Sequence, residues 1–439
     1  KIQIKEIWAI KVEVKKTQWG PVIGKDHNGS ILALRWVAHD VQGANMNILG
    51  MEGALDIKNA LAIAPLAGIP GQNLNVVDHQ GKNAWSIMGR LPNRFGFNKN
   101  NSTSYFFDSQ LPKDWSQGRY GWQGYLSKGD YPKVVNPNNG RIWTANARVA
   151  SGINLTKVGI NNYALGARQK QIQQGLQSKD IFTELDFLEM QLDDKAVFLT
   201  RWQILMLSIL EHEGVANLNS DLINIKHHLE NWQGRASESS VGYLLVKRFR
   251  ERVINQTIGH VYRYLEKNSN DFWPSSINNF VEYPVWLLVK NHPVNHLPNG
   301  FTSWQDFLMV MIKQTHQQVT QDGKPLNEQT WGKHNTLAIK HPLSGALPFL
   351  SSLLNMPAHP MAGDTYMPRV QDPNTGASER FSVAPGFEKQ GYFHMATGQS
   401  AHPLSPYFKR GHNDWVEGRA TPFLPQQTQW TLKISPLQP

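Results

Sequence analysis

Asn146 and Arg168 are the residues whose type and setting come nearest to a reaction centre. Asn146 closes the run Gly140-Arg141-Ile142-Trp143-Thr144-Ala145-Asn146, read as an alternating buried strand with a polar end, and Arg168 follows twenty-two positions later in Gly166-Ala167-Arg168-Gln169-Lys170. An amide NH2 donates to an oxygen that is gaining negative charge without bringing a charge of its own, so this strand end suits an oxyanion in acyl transfer. An Asn at the end of a strand is far more often an ordinary turn former.

Other groupings carry less chemistry. His292 and His296 have a metal-like spacing, but Pro293 and Pro298 argue against the helix that would aim both rings at one ion. Glu211-His212-Glu213 lacks the second His of a zinc-protease helix, and the adjacent His227 and His228 point apart. No transition-metal site is expected. Gly398-Gln399-Ser400, with His402 close by, lacks the strand-to-helix elbow of a hydrolase serine because Pro403 and Pro406 follow at once. Gly118, Gly121 and Gly124 lack the flanking strand and helix of a phosphate loop and read as turn glycines.

The elements that would position Asn146 are strands. Residues 1–162 read as sheet-rich: Ile10, Val12 and Val14 alternate with polar neighbours, and a second strand, 31–36, follows a turn at Asp26-His27-Asn28-Gly29. A short amphipathic helix through Ala54, Ile57, Leu61 and Ala64 stops at Pro65, and a hairpin is expected from Asn73-Leu74-Asn75-Val76-Val77-Asp78 through Gly81 to Met88. Residues 91–140 read as a long ordered loop packed by its own aromatics, Trp115, Tyr120, Trp122 and Tyr125. Residues 163–330 read as mainly helical, with Trp202, Ile204, Leu205, Leu207 and Leu210 forming an apolar stripe, a polar stretch around 267–300 and a further helix from Ser303 to Thr320. Residues 331–439 return to strands and turns, so the order sheet, helices, sheet suggests one layered α+β core.

Composition bounds the remaining choices. The 439 residues carry 40% apolar and 18% charged side chains with 15 Trp, which describes a folded chain able to bury a large core. A formal charge of +10 permits an anionic partner, but the basic residues are dispersed except for Lys247-Arg248-Phe249-Arg250-Glu251-Arg252, read as the solvated face of a helix. No nucleic acid is expected as a partner. The chain has no cysteine, which removes thiolate chemistry and disulfides and is compatible with export, and it has no apolar run long enough to span a membrane. Its opening Lys1-Ile2-Gln3-Ile4, with neither initiator Met nor signal peptide, suggests a processed or shortened start.

A succession of short motifs then resembles one family. Thr17-Gln18-Trp19-Gly20-Pro21-Val22-Ile23 (with Trp19 where His is more usual), Leu34-Arg35-Trp36, Asn73 through Asp78 with Gly81, and Gly89-Arg90-Leu91-Pro92-Asn93-Arg94 come in the order found in the penicillin acylase family of N-terminal-nucleophile hydrolases. The order continues with Asn136-Pro137-Asn138-Asn139-Gly140, Thr144-Ala145-Asn146, Ala167-Arg168 and Leu188-Glu189-Met190-Gln191-Leu192-Asp193. It closes with Trp331-Gly332, His341-Pro342-Leu343, Gly363-Asp364-Thr365, Ser378-Glu379-Arg380, Gly398 through Pro406, and Trp415-Val416-Glu417-Gly418.

The resemblance implies a four-layer αββα core with an inserted helical region, autocatalytic cleavage of a precursor into two chains, and a Ser nucleophile at the new N-terminus of the larger chain. By position Asn146 matches the side-chain donor of the oxyanion hole, and Arg168 matches the Arg that holds that Asn and the terminal amine; Arg168 could equally be a structural ion-pair partner. Lys1 has no hydroxyl, so the resemblance places the nucleophile, the backbone oxyanion donor and the smaller chain upstream and implies that this polypeptide alone is inactive. The partners implied are that smaller chain and a small N-acylated amide, with acyl-homoserine lactone hydrolysis or a non-catalytic scaffold as alternatives, in the periplasm or secreted. No organic cofactor is implied. Many members carry a structural calcium ion, for which no ligands are assignable here: the expected position falls near Lys157, and the loop after Arg94 departs from the usual pattern.

Overall fold

The computed structural model describes residues 2–4, 7–10, 12–97, 111–159, 163–268 and 278–436. Lys1, the middle of the aromatic loop (98–110) and part of the polar stretch (269–277) lie outside the described residues. The chain divides into two compact units, Lys1–Ala164 and Leu165–Pro439.

The first unit is built from short antiparallel strands. Ile2–Ile4 (β1) pairs with Ile7–Ile10 (β2), and Val22–Lys25 (β3) pairs with Ile31–Ala33 (β4) across a turn in which the Asp26 carboxylate accepts from the backbone of Asn28 and Ser30 at 2.9 and 2.8 Å. The alternation expected on to Lys15 stops at Ile10; Val12 and Val14 are exposed and in no strand, so their side-chain pattern has no sheet face to serve. Helix α1, Ile57–Ile63, is capped by Asp56, whose carboxylate accepts from Asn59 at 2.7 Å.

The expected hairpin is present as Gln72–Val77 (β5) and Asn83–Met88 (β6). Its turn is closed by Asp78, which accepts from the backbone of Gln80 and Lys82 at 3.0 and 3.1 Å, and by Gly81 at φ 75°, a conformation a side chain would strain. The aromatic stretch, expected as loop, contributes three strands: Pro92–Phe95 (β7) pairs with Gly121–Tyr125 (β8), and Lys133–Val135 (β9) adds to β6. Two Gly in five residues hide β8 from local propensity. A Cβ at Gly121 would come within 2.8 Å of the Phe95 ring, so cross-strand fit selects the glycine. The unit's core is Trp85, Ile87, Leu91 and Tyr131, against which Ile142, Val149 and Val158 pack, the last from helix α2, Gly152–Val158.

The second unit is mostly helical. Helices Ala167–Leu176 (α3), Glu184–Gln191 (α4), Thr200–Glu213 (α5), Ser220–Glu230 (α6), Val241–Asn268 (α7), Asn278–Asn291 (α8) and Trp304–Val319 (α9) surround an apolar core in which Trp202, Met206, Leu210, Phe249, Phe307 and Ile312 are fully buried. On α5 the buried face is Trp202, Met206, Ile209 and Leu210, a 3.6-residue stripe, while Ile204 from the expected stripe is 61% exposed. α8 runs through the stretch expected to be polar and irregular and carries Pro284 within it. Burial of Val281, Val285 and Val289 outweighs the hydrogen bond the proline omits.

The basic run on α7 is not a solvated face. Arg250 and Phe249 are buried, Lys247 pairs with Asp364, and Arg252 donates to Gln314 and Gln318 of α9. Strands Glu379–Ser382 (β10) and Tyr392–Met395 (β11) form their own antiparallel pair, followed by helix α10, His412–Glu417. The architecture is mixed α+β. Among the described residues the sheets are two or three strands wide.

Candidate active site

The segment 140–146 is held against the β5–β6 hairpin by side chains instead of a main-chain ladder; in place of the strand expected there, 140–145 has no regular structure and Asn146 lies in a bend. Asn83 Nδ2 donates to Gly140 O at 2.8 Å, Asn75 Nδ2 to Thr144 Oγ1 at 3.0 Å, and Asn73 Nδ2 to Ala145 O at 3.4 Å. Asn73 in turn accepts from the indole of buried Trp85 at 2.9 Å. The period of two places Asn73 and Asn75 on one face of β5, where an amide serves as donor and acceptor together. The stretch enters through Gly140 at φ 65°.

Asn146 itself sits in a bend with an exposed side chain, half-buried Ala145 before it and buried Ala147 after it. Its carbonyl accepts from Ala164 N at 3.1 Å. Backbone ties on both sides therefore fix where the residue stands.

Arg168 belongs to the second unit, in the first turn of α3. It is half-buried, and burial lowers its pKa below the ordinary value for a guanidinium. Gln171, one turn on, anchors that helix by donating to Asp193 Oδ2 at 2.8 Å and Lys195 O at 3.1 Å.

The asparagines that clamp the Asn146 segment were visible in the sequence only as parts of a motif; their alternation, Asn-x-Asn on an otherwise apolar strand, is the signal that marks them. A further feature of the first unit is a cavity of about 690 Å³ lined by Trp19, Trp115, Trp122, Arg35 and Arg94 among others. Arg35 lies 5.1 Å from the centre of the Trp122 ring. Asn146 does not line this cavity.

The alternative centres dissolve in the structure. His292 stacks on Trp304 at 6.0 Å and His296 turns to Asn295, each in a local contact. Ser400 accepts from the backbone of His402 at 3.2 Å, while the His402 ring accepts from Leu404 N, so ring and hydroxyl are not paired as base and nucleophile. Gly363 and Asp364 are a buried structural knot, with Thr365 exposed beside them: Asp364 takes hydrogen bonds from Tyr243 and Lys247, and Trp331 donates to Gly363 O at 2.9 Å. Among the described residues no group of three or more His, Asp or Glu side chains is arranged to hold a metal ion.

Comparison with known proteins extends these observations over the whole chain. The penicillin acylase 2 proenzyme of Pseudomonas sp. (strain SE83) is 24% identical over 433 residues, covering 94% of this chain and 52% of that protein. The chain thus spans about half the length of the curated relative it matches. Among solved structures, thermostable penicillin G acylase from Alcaligenes faecalis, in its orthorhombic form, aligns with a TM-score of 0.60 at 16% identity, over 100% of this chain and 81% of that one. At that identity the likeness speaks to the fold alone. The family profile described as penicillin amidase matches residues 1–431, and on that match, nearly end to end, the chain belongs to the penicillin amidase family of N-terminal-nucleophile hydrolases.

Proposed function

We propose that the full-length protein hydrolyses the linear amide bond of small N-acylated substrates, and that this chain is the larger of two chains cut from one precursor and folded together on a four-layer αββα core. In this reading an N-terminal serine attacks the amide carbonyl through Oγ while its α-amino group takes the proton. The tetrahedral oxyanion accepts from Asn146 Nδ2, the C–N bond breaks as the leaving amine takes the proton back, and water then cleaves the ester to release the acid and the free serine. Arg168 acts through its charge: a guanidinium near the terminal amine favours the neutral, proton-accepting form. These steps use no organic cofactor or catalytic metal, and a structural calcium ion is no part of them. The working compartment is the periplasm or the exterior.

The observation that carries the reading is the family match through residues 1–431. Liquid chromatography of penicillin G and of a long-chain acyl-homoserine lactone, each incubated with the full-length gene product, tests it. Release of phenylacetate makes the protein a penicillin acylase, release of the fatty acid a lactone acylase, and no release of either from a folded, processed protein identifies a non-catalytic relative. The 439-residue chain by itself is expected to leave a chromogenic acyl anilide uncleaved.

A further inference from the structure

The C-terminal part of the second unit buries more positive charge than it neutralises. Arg380 of β10 is 1% exposed; its Nη1 donates to Trp415 O at 2.8 Å, and its guanidinium lies 4.9 Å from the centre of the Trp415 ring. Arg369 reaches the same helix end, with Nη2 donating to Val416 O at 3.0 Å. These carbonyls close α10, and a helix C-terminus favours cations but supplies only about half a unit of charge. The carboxylates of Asp194 and Glu238 act on Arg369, whereas the charge acting on Arg380 is that of Arg369 itself. Burial, reinforced by Arg369, lowers the Arg380 guanidinium to about 10, which still leaves it charged at neutral pH.

Two of its donors are also unused. Arg380 Nε and Nη2 are buried and have no hydrogen-bond partner among the described residues. Ser382, two residues further along β10 on the same buried face, has a buried hydroxyl without a partner. Directly across the ladder stands His394, 2% exposed, whose Nε2 bonds to Arg419 O and whose Nδ1 is likewise unpartnered. Buried polar groups are overwhelmingly hydrogen-bonded, and a buried charge is ordinarily paired.

We propose that the space between β10, β11 and α10 is a binding site for one small monovalent anion of the halide class, which accepts from Arg380 Nε and Nη2 and from the Ser382 hydroxyl. One unpaired positive charge calls for one negative charge. A monatomic ion is the smallest ligand that carries that charge, and the groups around it, Arg380, Ser382, His394 and Trp415, are all buried. A water molecule would satisfy the donors but leave the charge uncompensated. The site is independent of amide hydrolysis and stands or falls separately from it.

Bromide soaked into crystals of the full-length protein reads the site without any variant, and anomalous density is expected within hydrogen-bond distance of Arg380 and Ser382. In solution, replacing gluconate by chloride or bromide at constant ionic strength is expected to raise the Tm of the wild type. Arg380→Met should lose that halide dependence; if it does not fold, Ser382→Ala, which keeps the guanidinium, should show it weakened. Density at the site without an anomalous signal, bromide confined to the surface, or a wild-type Tm indifferent to halide would each overturn the proposal.

Discussion

Asn146 owes its position to the asparagines of β5, whose amides hold Thr144 and Ala145 just before it. Under the proposed mechanism, replacing it by Ala is expected to lower kcat of the full-length protein by about a hundredfold to a thousandfold with little change in KM, because an oxyanion donor acts in the transition state. Steady-state kinetics on the substrate found by chromatography checks this, and a rise in KM with kcat unchanged would argue against Asn146 as an oxyanion donor. Asn73 belongs to the layer behind it. Asn73→Ala frees the Ala145 carbonyl and leaves the indole of buried Trp85 without its acceptor, so a loss of about 1 kcal/mol in urea unfolding is expected, together with a lower kcat. Asn146 could be picked out in the chain by type and position, whereas Asn73 was visible only as part of a motif. That amide side chains, rather than a strand ladder, do the holding was not, because an extended segment looks the same to local alternation whether its partner is a main chain or a row of asparagines.

At the scale of elements, the second unit is tied through one buried carboxylate. Glu282 of α8 is 3% exposed and takes hydrogen bonds from Arg201 and Trp202 of α5 and from Arg250 of α7, the Arg250 Nε contact being 2.8 Å. Arg250 also lies 5.0 Å from the centre of the Tyr366 ring. Glu282→Ala leaves those cations uncompensated and is expected to cost about 3–5 kcal/mol, whereas Ser303→Ala, which removes the cap on Asp306 N at 3.0 Å, is expected to cost only about 1 kcal/mol. Chemical denaturation of the two variants ranks them; equal losses would show that the carboxylate's neighbours relax into water. Helix α9 with its Ser303 cap, α1 and the 72–88 hairpin were all readable, since cap, period and turn chemistry agree within each segment. α8 with its internal proline and β8 with its two glycines were not, because contacts distant in sequence decide them.

For the whole molecule, acid sensitivity follows from groups whose pKa values the fold depresses. His394 and His412 are lowered from the ordinary 6.5, chiefly by burial, so the unfolded chain binds protons more readily. Their contribution is complete above pH 6.5 and is lost as pH falls below it. Asp40, held down first by the Tyr125 hydroxyl at 2.8 Å, and Asp372, held down by the Thr375 hydroxyl and backbone amides against burial, act the same way from 3.8 downward. Thermal unfolding between pH 8 and 3 should show a constant Tm above about pH 6.5–7, a decline through mild acid and a second, steeper decline in the carboxylate range, where the +10 charge has also grown. A Tm unchanged between pH 7 and 5 would mean that both imidazoles escape into water. The chain by itself determined the family, through motifs whose order survives when each is short, and it determined the elements whose signals lie within a few residues. Tertiary structure alone decided which charges are buried: Arg250 lies in a run that looks solvated, and Arg380 in a short strand that looks ordinary. Burial of a charge depends on partners brought in from far along the chain, and those partners leave no periodic trace beside it.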